Sequence, residues 1–451
     1  MLGRVVGGLL ALIVVLFAAA GLWLFAAPPE LLRVADGYAA KTVCSNFFLA
    51  HRDVGEVLVD DVQAQGNPVL KFITVSVDQS AGTVTAHMLG IFAPMTSVYR
   101  DGLGCTLVPD GRIDAVRAVT VAQEPVLVGS GIWPAGNDVA APDPKLAAVL
   151  ADDALAGPGV RAIVVVHDGH IAAERYAAGY RPDEPLIGWS MSKSVNAILL
   201  GMVMQSGGLS FEDKGLFPEW QGDARRDITL AQLLGMTSGL AFNEDYGDVT
   251  DVTRMLYLEP DMAGFAAAQP LAHEPGSTFS YSTGTAMMVS RVWASHLPDQ
   301  ATALAFPRKA LFAPLGMTTA IFEPDETEVP AGGSYGFASA RDWARVGQFL
   351  LQDGNWNGKP LLPAGFVQMM RTSNGKPDGY SQLQTWLRGP TEENGKSYGL
   401  PPDAYWFLGH DGQSMVIIPS AQLVVVRMGY TPSALGWGPE PMIKALLAKI
   451  G

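Results

Sequence analysis

The most informative segment of the sequence is SMSKSVNAILLGMVM, residues 190–204. After Lys193 it is apolar almost all round, which is typical of a buried helix. Ser190 and Lys193 are three residues apart and therefore share one face of that helix, with the serine in its first turn. A buried lysine loses its proton more readily and can then accept one from a serine hydroxyl. The pattern predicts a nucleophile and its base, and a capped structural helix is the alternative.

The spacing of serine and lysine is weak evidence by itself, because about one or two such pairs arise by chance in a chain of this length. The sequence contains a second pair, Ser373 and Lys376. It lies at an Asn-Gly turn and no apolar helix follows it. We therefore expect chemistry only at Ser190 and Lys193.

Two further segments could complete a catalytic site. The first is FSYSTG, residues 279–284, which precedes a predicted helix and offers the Tyr281 hydroxyl as a proton relay to a leaving group. The second is GHDGQ, residues 409–413, where two glycines allow close approach of a substrate and a strand-edge N–H can hold an oxyanion. Read alone, the tyrosine is more typical of a packing residue and GHDGQ of an ordinary strand entry.

Together and in this order, the three segments resemble the serine β-lactamase and penicillin-binding-protein superfamily. The arrangement is most similar to its class C branch, with the related esterases, D-peptidases and 6-aminohexanoate-dimer hydrolases. Segments 228–240, 332–342 and 354–359 add to the likeness, which covers about residues 150–451. The resemblance implies an α+β fold of the β-lactamase/transpeptidase type, in which helices flank an antiparallel sheet and a mostly helical subdomain lies beside it.

The resemblance also implies roles for individual residues. Ser190 would be the acylated nucleophile, Lys193 its proton acceptor and Tyr281 the catalytic tyrosine. The oxyanion would be held by the backbone N–H groups of Ser190 and Gln413.

Three more residues would contact the substrate. His410 and Gly412 belong to the family's third motif, which falls on His410-Asp411-Gly412 in this sequence. The segment FNEDY, residues 242–246, resembles a loop of the 6-aminohexanoate-dimer hydrolases and makes Tyr246 a candidate for the pocket wall.

Two departures from the family pattern bear on the substrate. Thr283 stands where many members have asparagine, and His410 stands where the lactam-processing enzymes usually carry lysine. A lysine there helps to bind a substrate carboxylate, whereas imidazole is largely neutral near pH 7. The departures argue against a β-lactamase or a cell-wall carboxypeptidase and favour uncharged esters or amides. The nucleophile also lies outside a G-x-S-x-G turn, which disfavours an α/β-hydrolase.

The N-terminus predicts export. Residues 5–27 carry no charge and no polar side chain, and as a helix they would span about 34 Å, enough to cross a bilayer. Arg4 precedes this run and acidic residues follow it, so the positive-inside rule keeps the N-terminus in the cytoplasm. An uncleaved anchor is favoured because the apolar run is longer than that of a signal peptide, which remains the alternative. We expect the bacterial inner membrane with the catalytic domain in the periplasm, or a secreted protein if cleavage occurs.

The cysteine count agrees with an oxidising compartment. Cys44 and Cys105 are the two cysteines, and we expect them to form a disulfide, with two unpaired buried thiols as the alternative. No cysteine–histidine cluster suggests a metal, and no cofactor is implied. A net charge of -14 argues against binding of nucleic acid.

Three regions are predicted: an anchor or signal peptide at 1–27, a small α/β region at 28–150 and the hydrolase domain at 151–451. Glycine, proline, asparagine and aspartate accumulate from 129 to 144, as in a linker. In the hydrolase domain, a hairpin at 162–176 and a strand pair at 413–428 are far apart in sequence but should share one antiparallel sheet.

These observations predict an exported serine hydrolase that cleaves a small-molecule ester or amide through an acyl-enzyme. The alternatives are a β-lactamase or D-Ala carboxypeptidase of the same superfamily, and a catalytically inactive envelope scaffold or binding protein. The natural substrate, the oligomeric state and the role of residues 28–150 do not follow from the sequence.

Overall fold

The computed structural model describes residues 2–64, 66–122, 125–392 and 398–450. The chain forms two compact units, which we call the N-terminal unit and the main unit. The N-terminal unit consists of Met1–Arg100, Cys105–Val119 and Asp245–Pro260, and the main unit of Asp101–Gly104, Thr120–Glu244 and Asp261–Gly451. The N-terminal unit therefore includes a segment from the middle of the chain. The boundary at residue 150 that composition suggests stays a prediction.

The N-terminal unit combines a four-stranded sheet with helices. Its helices are α1 Leu2–Ala26, α2 Glu30–Phe48, α3 Val54–Val57, α4 Ile113–Ala118 and α9 Asp251–Tyr257. The sheet has the order β1 Ile73–Asp78, β2 Thr83–Met88, β3 Phe92–Arg100 and β4 Gly104–Leu107. In β2 every second residue is buried, because successive side chains of a strand point to opposite faces. The sequence alternates between apolar and polar residues at 73–77 and 83–88, which predicts β1 and β2, and both strands are present. Strands β3 and β4 were not foreseen.

A disulfide joins α2 to β4. Cys44 and Cys105 are fully buried and bonded, with their Cα atoms 6.1 Å apart. The predicted pairing is therefore present in the structure. It closes a long loop within the N-terminal unit and limits the conformations open to the unfolded chain.

Helix α1 contains the apolar run. Its segment Arg4–Ala26 is long and apolar enough to cross a membrane, and none of it is buried in the protein. A signal sequence near the N-terminus has the same properties, so both readings of this segment remain open.

The main unit has a larger sheet with helices on both faces. Its helices are α5 Pro144–Leu150, α6 Asp153–Ala156, α7 Met191–Gln205, α8 Leu230–Leu234, α10 Met262–Ala267, α11 Thr283–Ser295, α12 Gln300–Phe306, α13 Ala313–Leu315, α14 Ala340–Leu351, α15 Phe366–Met370 and α16 Glu440–Ile450. Its strands are β5 Val160–His167, β6 His170–Tyr176, β7 Leu186–Ile187, β8 Ile321–Phe322, β9 Gly336–Ala338, β10 Asn355–Trp356, β11 Lys359–Pro360, β12 Tyr405–Gly409, β13 Gln413–Ile418 and β14 Leu423–Gly429.

The large sheet has the strand order β12-β13-β14-β5-β6, and all of its pairs are antiparallel. Alternate residues of β5 and β14, such as Ile163 and Val425, pack with α5 and α16 in one apolar core. Helix α14 packs against β5, β13 and β14. Because both faces are covered, β5, β13 and β14 are apolar over most of their length. The two predicted hairpins do share one antiparallel sheet, as expected.

A second, three-stranded sheet has the order β7-β9-β8. Two of its strands have only two residues, too few for an alternating pattern to be recognised in the sequence. This sheet lies next to the start of α7, because Gly188 N, two residues before Ser190, donates to Gly336 O at 2.8 Å.

Candidate active site

The start of helix α7 presents Ser190 at its first turn. The preceding residue, Trp189, is buried and has a φ of 47°, a left-handed conformation that is unfavourable for a bulky side chain. The Ser190 hydroxyl makes no capping hydrogen bond to the helix backbone. The capped structural helix that the sequence left open is therefore not what the structure contains, and the hydroxyl is available for other contacts.

Lys193 lies directly behind that hydroxyl and is almost completely buried. Its Nζ is 2.8 Å from Ser190 Oγ, and it donates to Thr283 Oγ1 and to Gly333 O at 2.9 Å each. Burial lowers the pKa of Lys193 from 10.5 to about 8, because an ammonium group loses its hydration in the interior. A substantial fraction of the lysine is thus neutral at mildly alkaline pH.

Glu244 is a further member of this cluster that the sequence analysis did not single out. Its carboxylate accepts a hydrogen bond from Thr283 N at 2.7 Å and another from the Thr283 hydroxyl. Burial raises the pKa of Glu244, while Lys193 and the bonds from Thr283 oppose that rise. The negative charge in turn raises the pKa of Lys193 and partly offsets its burial. Glu244 lies in the segment FNEDY, residues 242–246, in which only Tyr246 was predicted to contact the substrate.

Tyr281 closes the other side of the serine. Ser282 begins α11 by accepting a hydrogen bond from Thr285 N at 2.9 Å, which fixes the residue before it. The Tyr281 hydroxyl interacts with the Ser190 side chain, which lowers the pKa of the phenol, and Lys193 Nζ lies 4.9 Å from the centre of the tyrosine ring. Burial raises the pKa of Tyr281 far above its ordinary value, so the phenol stays protonated.

The end of β12 forms the opposite wall. Gly409 passes so close to the chain before the serine that a Cβ there would be 2.2 Å from Gly188 O, which only glycine permits. The His410 ring packs edge-on against Trp189 at 6.0 Å between centres. Asp411 and Gly412 then turn the chain with φ values of 55° and 83°. Gln413, the residue after this turn, is the first residue of β13.

A cavity of about 610 Å³ opens in front of Ser190. Tyr281, Trp386 and His410 line it together with three charged side chains, which are those of Asp378, Arg388 and Glu392. A second cavity of about 670 Å³ shares Pro390, Leu408, Gly409 and His410 with the first and continues along the turn to Gln413 and Thr431. The described residues thus form two adjoining spaces on either side of His410.

The structure brings most of the predicted site residues together. Ser190, Tyr281 and His410 line the first cavity, with Lys193 beneath them. Gly412 and Gln413 line the second. The Gln413 side chain is turned away into the sheet, where its Oε1 accepts from Gly429 N at 2.8 Å, so its backbone is the part that can serve a ligand.

Tyr246 belongs to the segment that forms part of the N-terminal unit, and 38% of it is exposed. Its role in the pocket wall stays a prediction. The sequence analysis missed four residues that line the first cavity, namely Asp378, Trp386, Arg388 and Glu392. They lie in a stretch without regular secondary structure or a recognisable motif, so no local signal marked them.

Comparisons with known proteins agree with this geometry. A curated relative, the 6-aminohexanoate-dimer hydrolase of Paenarthrobacter ureafaciens, is 23% identical over 307 residues, which cover 60% of this chain and 72% of the relative. A solved structure from Bacillus anthracis that was named for the same activity superposes with a TM-score of 0.54 at 22% identity, covering 73% of this chain and 86% of that one.

A family VIII carboxylesterase superposes with a TM-score of 0.51 at 18% identity and covers 68% of this chain and 97% of its own. A penicillin-binding-protein homologue from Caulobacter crescentus gives the same score and coverage at 16% identity. At these identities the structures establish a shared fold. The Beta-lactamase family model matches residues 150–432, which is more than half of the chain. The resemblance that the motifs suggested is thereby confirmed: this chain belongs to the Beta-lactamase family.

Proposed function

We propose that the protein is a serine hydrolase that cleaves an ester or amide bond through an acyl-enzyme on Ser190. The observation that carries the proposal is the contact of 2.8 Å between Ser190 Oγ and Lys193 Nζ. The Ser190 hydroxyl makes no capping hydrogen bond to α7, so it is available for this contact. The Lys193 amine has a pKa of about 8 and is therefore partly neutral at physiological pH. A nucleophile and a base within hydrogen-bond reach are what covalent catalysis requires.

In the first half of the reaction, neutral Lys193 accepts the hydroxyl proton as Ser190 Oγ bonds to the substrate carbonyl carbon. The carbonyl π electrons move to oxygen, and the backbone N–H groups of Ser190 and Gln413 hold the resulting oxyanion. When the carbonyl re-forms, the bond to the alcohol or amine breaks. The leaving group takes the proton that Lys193 holds, either directly or through Tyr281, which gives its own proton and is reprotonated by the lysine. An ester then joins the acyl group to Ser190, and Lys193 is neutral again.

In the second half, water replaces the leaving group. The neutral amine of Lys193 accepts a proton from water as its oxygen attacks the acyl carbon, and Ser190 Oγ leaves with a proton returned from the lysine. The products are a carboxylic acid and the free enzyme. No step requires a cofactor.

The charges around the first cavity support an uncharged or amine-bearing substrate. Among its described lining residues, Asp378 and Glu392 carry negative charge and Arg388 carries positive charge. His410 occupies the position of the family's carboxylate-binding lysine. A substrate carboxylate therefore meets a lining with more negative than positive groups. The names of the relatives, a 6-aminohexanoate-dimer hydrolase and a carboxylesterase, fit amides and esters of this kind.

The second candidate is a β-lactamase or a D-Ala carboxypeptidase. The one feature that favours it is Arg388, a cation in the same cavity as Ser190 that could take over the role of the missing lysine. This candidate predicts that penicillin acylates Ser190, which intact-mass measurement would detect as an adduct. We expect little or no such adduct.

We also propose that the protein is exported and held at the membrane by α1, with the main unit in the periplasm. Arg4 ahead of the apolar segment favours this orientation, and the disulfide suits an oxidising compartment. Cleavage of the segment as a signal peptide would instead release the protein.

The test of the catalytic proposal is hydrolysis of p-nitrophenyl butyrate by the full-length chain in detergent. Ser190→Ala should lower kcat by at least about 10³-fold, because the covalent route is lost. The matched control is Ser373→Ala, which alters the exposed serine of the other Ser-x-x-Lys pair and should leave the rate unchanged. A fluorophosphonate probe should label the wild type and the control but not Ser190→Ala. Equal rates in all three proteins would refute the proposal and favour a scaffold role.

A further inference from the structure

Three large apolar side chains are exposed together at one end of the sheet in the N-terminal unit. Phe72, Leu89 and Ile91 are 57%, 59% and 60% exposed. Leu89 and Ile91 lie in the turn between β2 and β3, and Leu89 N donates to Phe72 O at 2.9 Å, so Phe72 is the neighbour of that turn. We call these three residues the apolar tip. The exposure of leucine, isoleucine and phenylalanine side chains to water in one cluster is unfavourable, because apolar surface is more stable away from water.

The backbone holds the tip in an unusual conformation. Leu89 has a φ of 50°, in the left-handed region that branched side chains rarely adopt. The following Gly90 has a φ of 82°, which completes the turn. The sheet therefore keeps a leucine pointing into solvent although neither its conformation nor its exposure is favourable. Such a position suggests a surface that something else covers.

The tip lies at the same end of the unit as the point where the chain leaves α1. Early in α2, Asp36 Oδ2 accepts a hydrogen bond from Met88 N at 2.8 Å, immediately before the turn. At the other end of α2, Phe48 stacks on Tyr99 near the end of β3, with 4.5 Å between ring centres. Helix α2 thus runs from the tip towards the far end of β3. Helix α1 joins α2 through the short segment 27–29 and also contacts β3.

The occupant that fits this surface is a lipid bilayer. None of the residues of the apolar segment of α1 is buried in the protein, and its Phe17 and Phe25 are 75% and 69% exposed. If α1 crosses a bilayer, its last residues lie at the lipid surface, and so does the neighbouring tip. Lys71, which is also exposed, precedes Phe72 and carries the positive charge that lipid phosphate groups attract.

We propose that the apolar tip of Phe72, Leu89 and Ile91 inserts into the outer face of the bilayer that α1 spans. The N-terminal unit then contacts the membrane at two places, through α1 and through the apolar tip, and is not held by α1 alone. This inference rests on the proposed anchoring by α1 and adds a second membrane contact to it.

The test uses single-cysteine variants of the full-length chain in vesicles of phosphatidylcholine and phosphatidylglycerol. The two native cysteines are bonded to each other, so without reductant a new cysteine is labelled selectively. An environment-sensitive fluorophore is attached at Ile91→Cys or, as a repeat, at Phe72→Cys. The matched control is Gln79→Cys, in the exposed turn at the opposite end of β1 and β2, about 20 Å away. Leu12→Cys in α1 is the reference for a position inside the bilayer.

Spin-labelled lipids should quench the labels at 91 and 72 at least about threefold more than the label at 79. A label at 91 that lipids quench no more than the label at 79, while the label at 12 is quenched, would overturn the inference and leave the anchor in place. A label at 91 shielded from both lipid and aqueous quenchers would show a protein partner there and would also overturn it. An unquenched label at 12 would refute the anchoring itself, and the inference with it.

Discussion

The pH dependence of acylation tests the electrostatics of the site most directly. With a pKa of about 8 for Lys193, roughly one tenth of the amine is neutral at pH 7. At the ordinary value of 10.5 the neutral fraction would be about 300-fold smaller. Because only the neutral amine accepts the serine proton, kcat/KM for an ester should rise tenfold per pH unit below about pH 7.5. It should level off above about pH 8.5.

Glu244→Gln changes this profile in a defined direction. The carboxylate raises the pKa of Lys193, so its removal should lower that pKa further, by about one unit for a buried opposite charge. The midpoint of the profile should move from about pH 8 to about pH 7. At pH 6 the variant should then have about tenfold more neutral lysine than the wild type, although a weaker base lowers its plateau rate.

The assay is stopped-flow acylation with p-nitrophenyl butyrate from pH 5.5 to 10, and the matched control is Glu212→Gln, which removes an exposed carboxylate. The control should retain the wild-type midpoint. An unchanged midpoint in Glu244→Gln would show that Glu244 does not act on Lys193 through its charge. A midpoint that moved to higher pH would contradict the sign of the argument.

Three further predictions concern neighbouring features. Tyr281→Phe should lower kcat by about 10²-fold or more for an anilide, and less for a p-nitrophenyl ester whose leaving group needs no proton; the ratio of the two rates is the measurement. Lys193→Met should abolish turnover and yet raise the free energy of unfolding by about 1 to 3 kcal/mol at pH 7. The pKa of Lys193 is lowered to about 8 in the folded state, so below that pH the buried lysine is charged and destabilises the fold. That gain should shrink as the pH rises from 8 to 10.5, and a loss of stability at pH 7 would count against it. Replacing Cys44 and Cys105 by alanine should destabilise the N-terminal unit by about 2 to 4 kcal/mol in urea unfolding, and a smaller effect would mean that the reduced chain retains structure.

The elements with strong periodicity or turn chemistry were predictable from the sequence. The hairpin around Asp168 and Gly169 and the strand pair from 413 to 428 were recognised from apolar runs bounded by turn residues, and both lie where expected in one sheet. The helix after Ser339 follows from its cap, since the serine hydroxyl accepts from Asp342 N at 3.2 Å. These features depend on neighbours in sequence, which the sequence displays.

The features that were missed depend on distant contacts. Glu244 meets Thr283 across 39 residues of chain, and nothing local distinguishes it from a surface acid. The strands β7, β8 and β9 are two or three residues long and are defined only by pairing with one another. The charged wall of the cavity comes from loop residues, whose positions are set by packing. Family motifs led to Ser190 and Lys193, the proposed nucleophile and base, but not to Glu244, whose charge acts on the pKa of Lys193.

The grouping of Asp245–Pro260 with the N-terminal unit has a consequence for how the protein is made. The side chains of Val252, Met255 and Leu256 in α9 are fully buried, and the ring of Tyr257 packs edge-on against that of Tyr38 at 5.8 Å between centres. The N-terminal unit is therefore incomplete until residue 260 has been synthesised, although both of its cysteines emerge by residue 105. During vectorial synthesis its first part must wait for more than a hundred further residues, because the chain returns to the N-terminal unit only after Glu244. A gene fragment beginning at residue 151 would carry α9 without the partner that covers it.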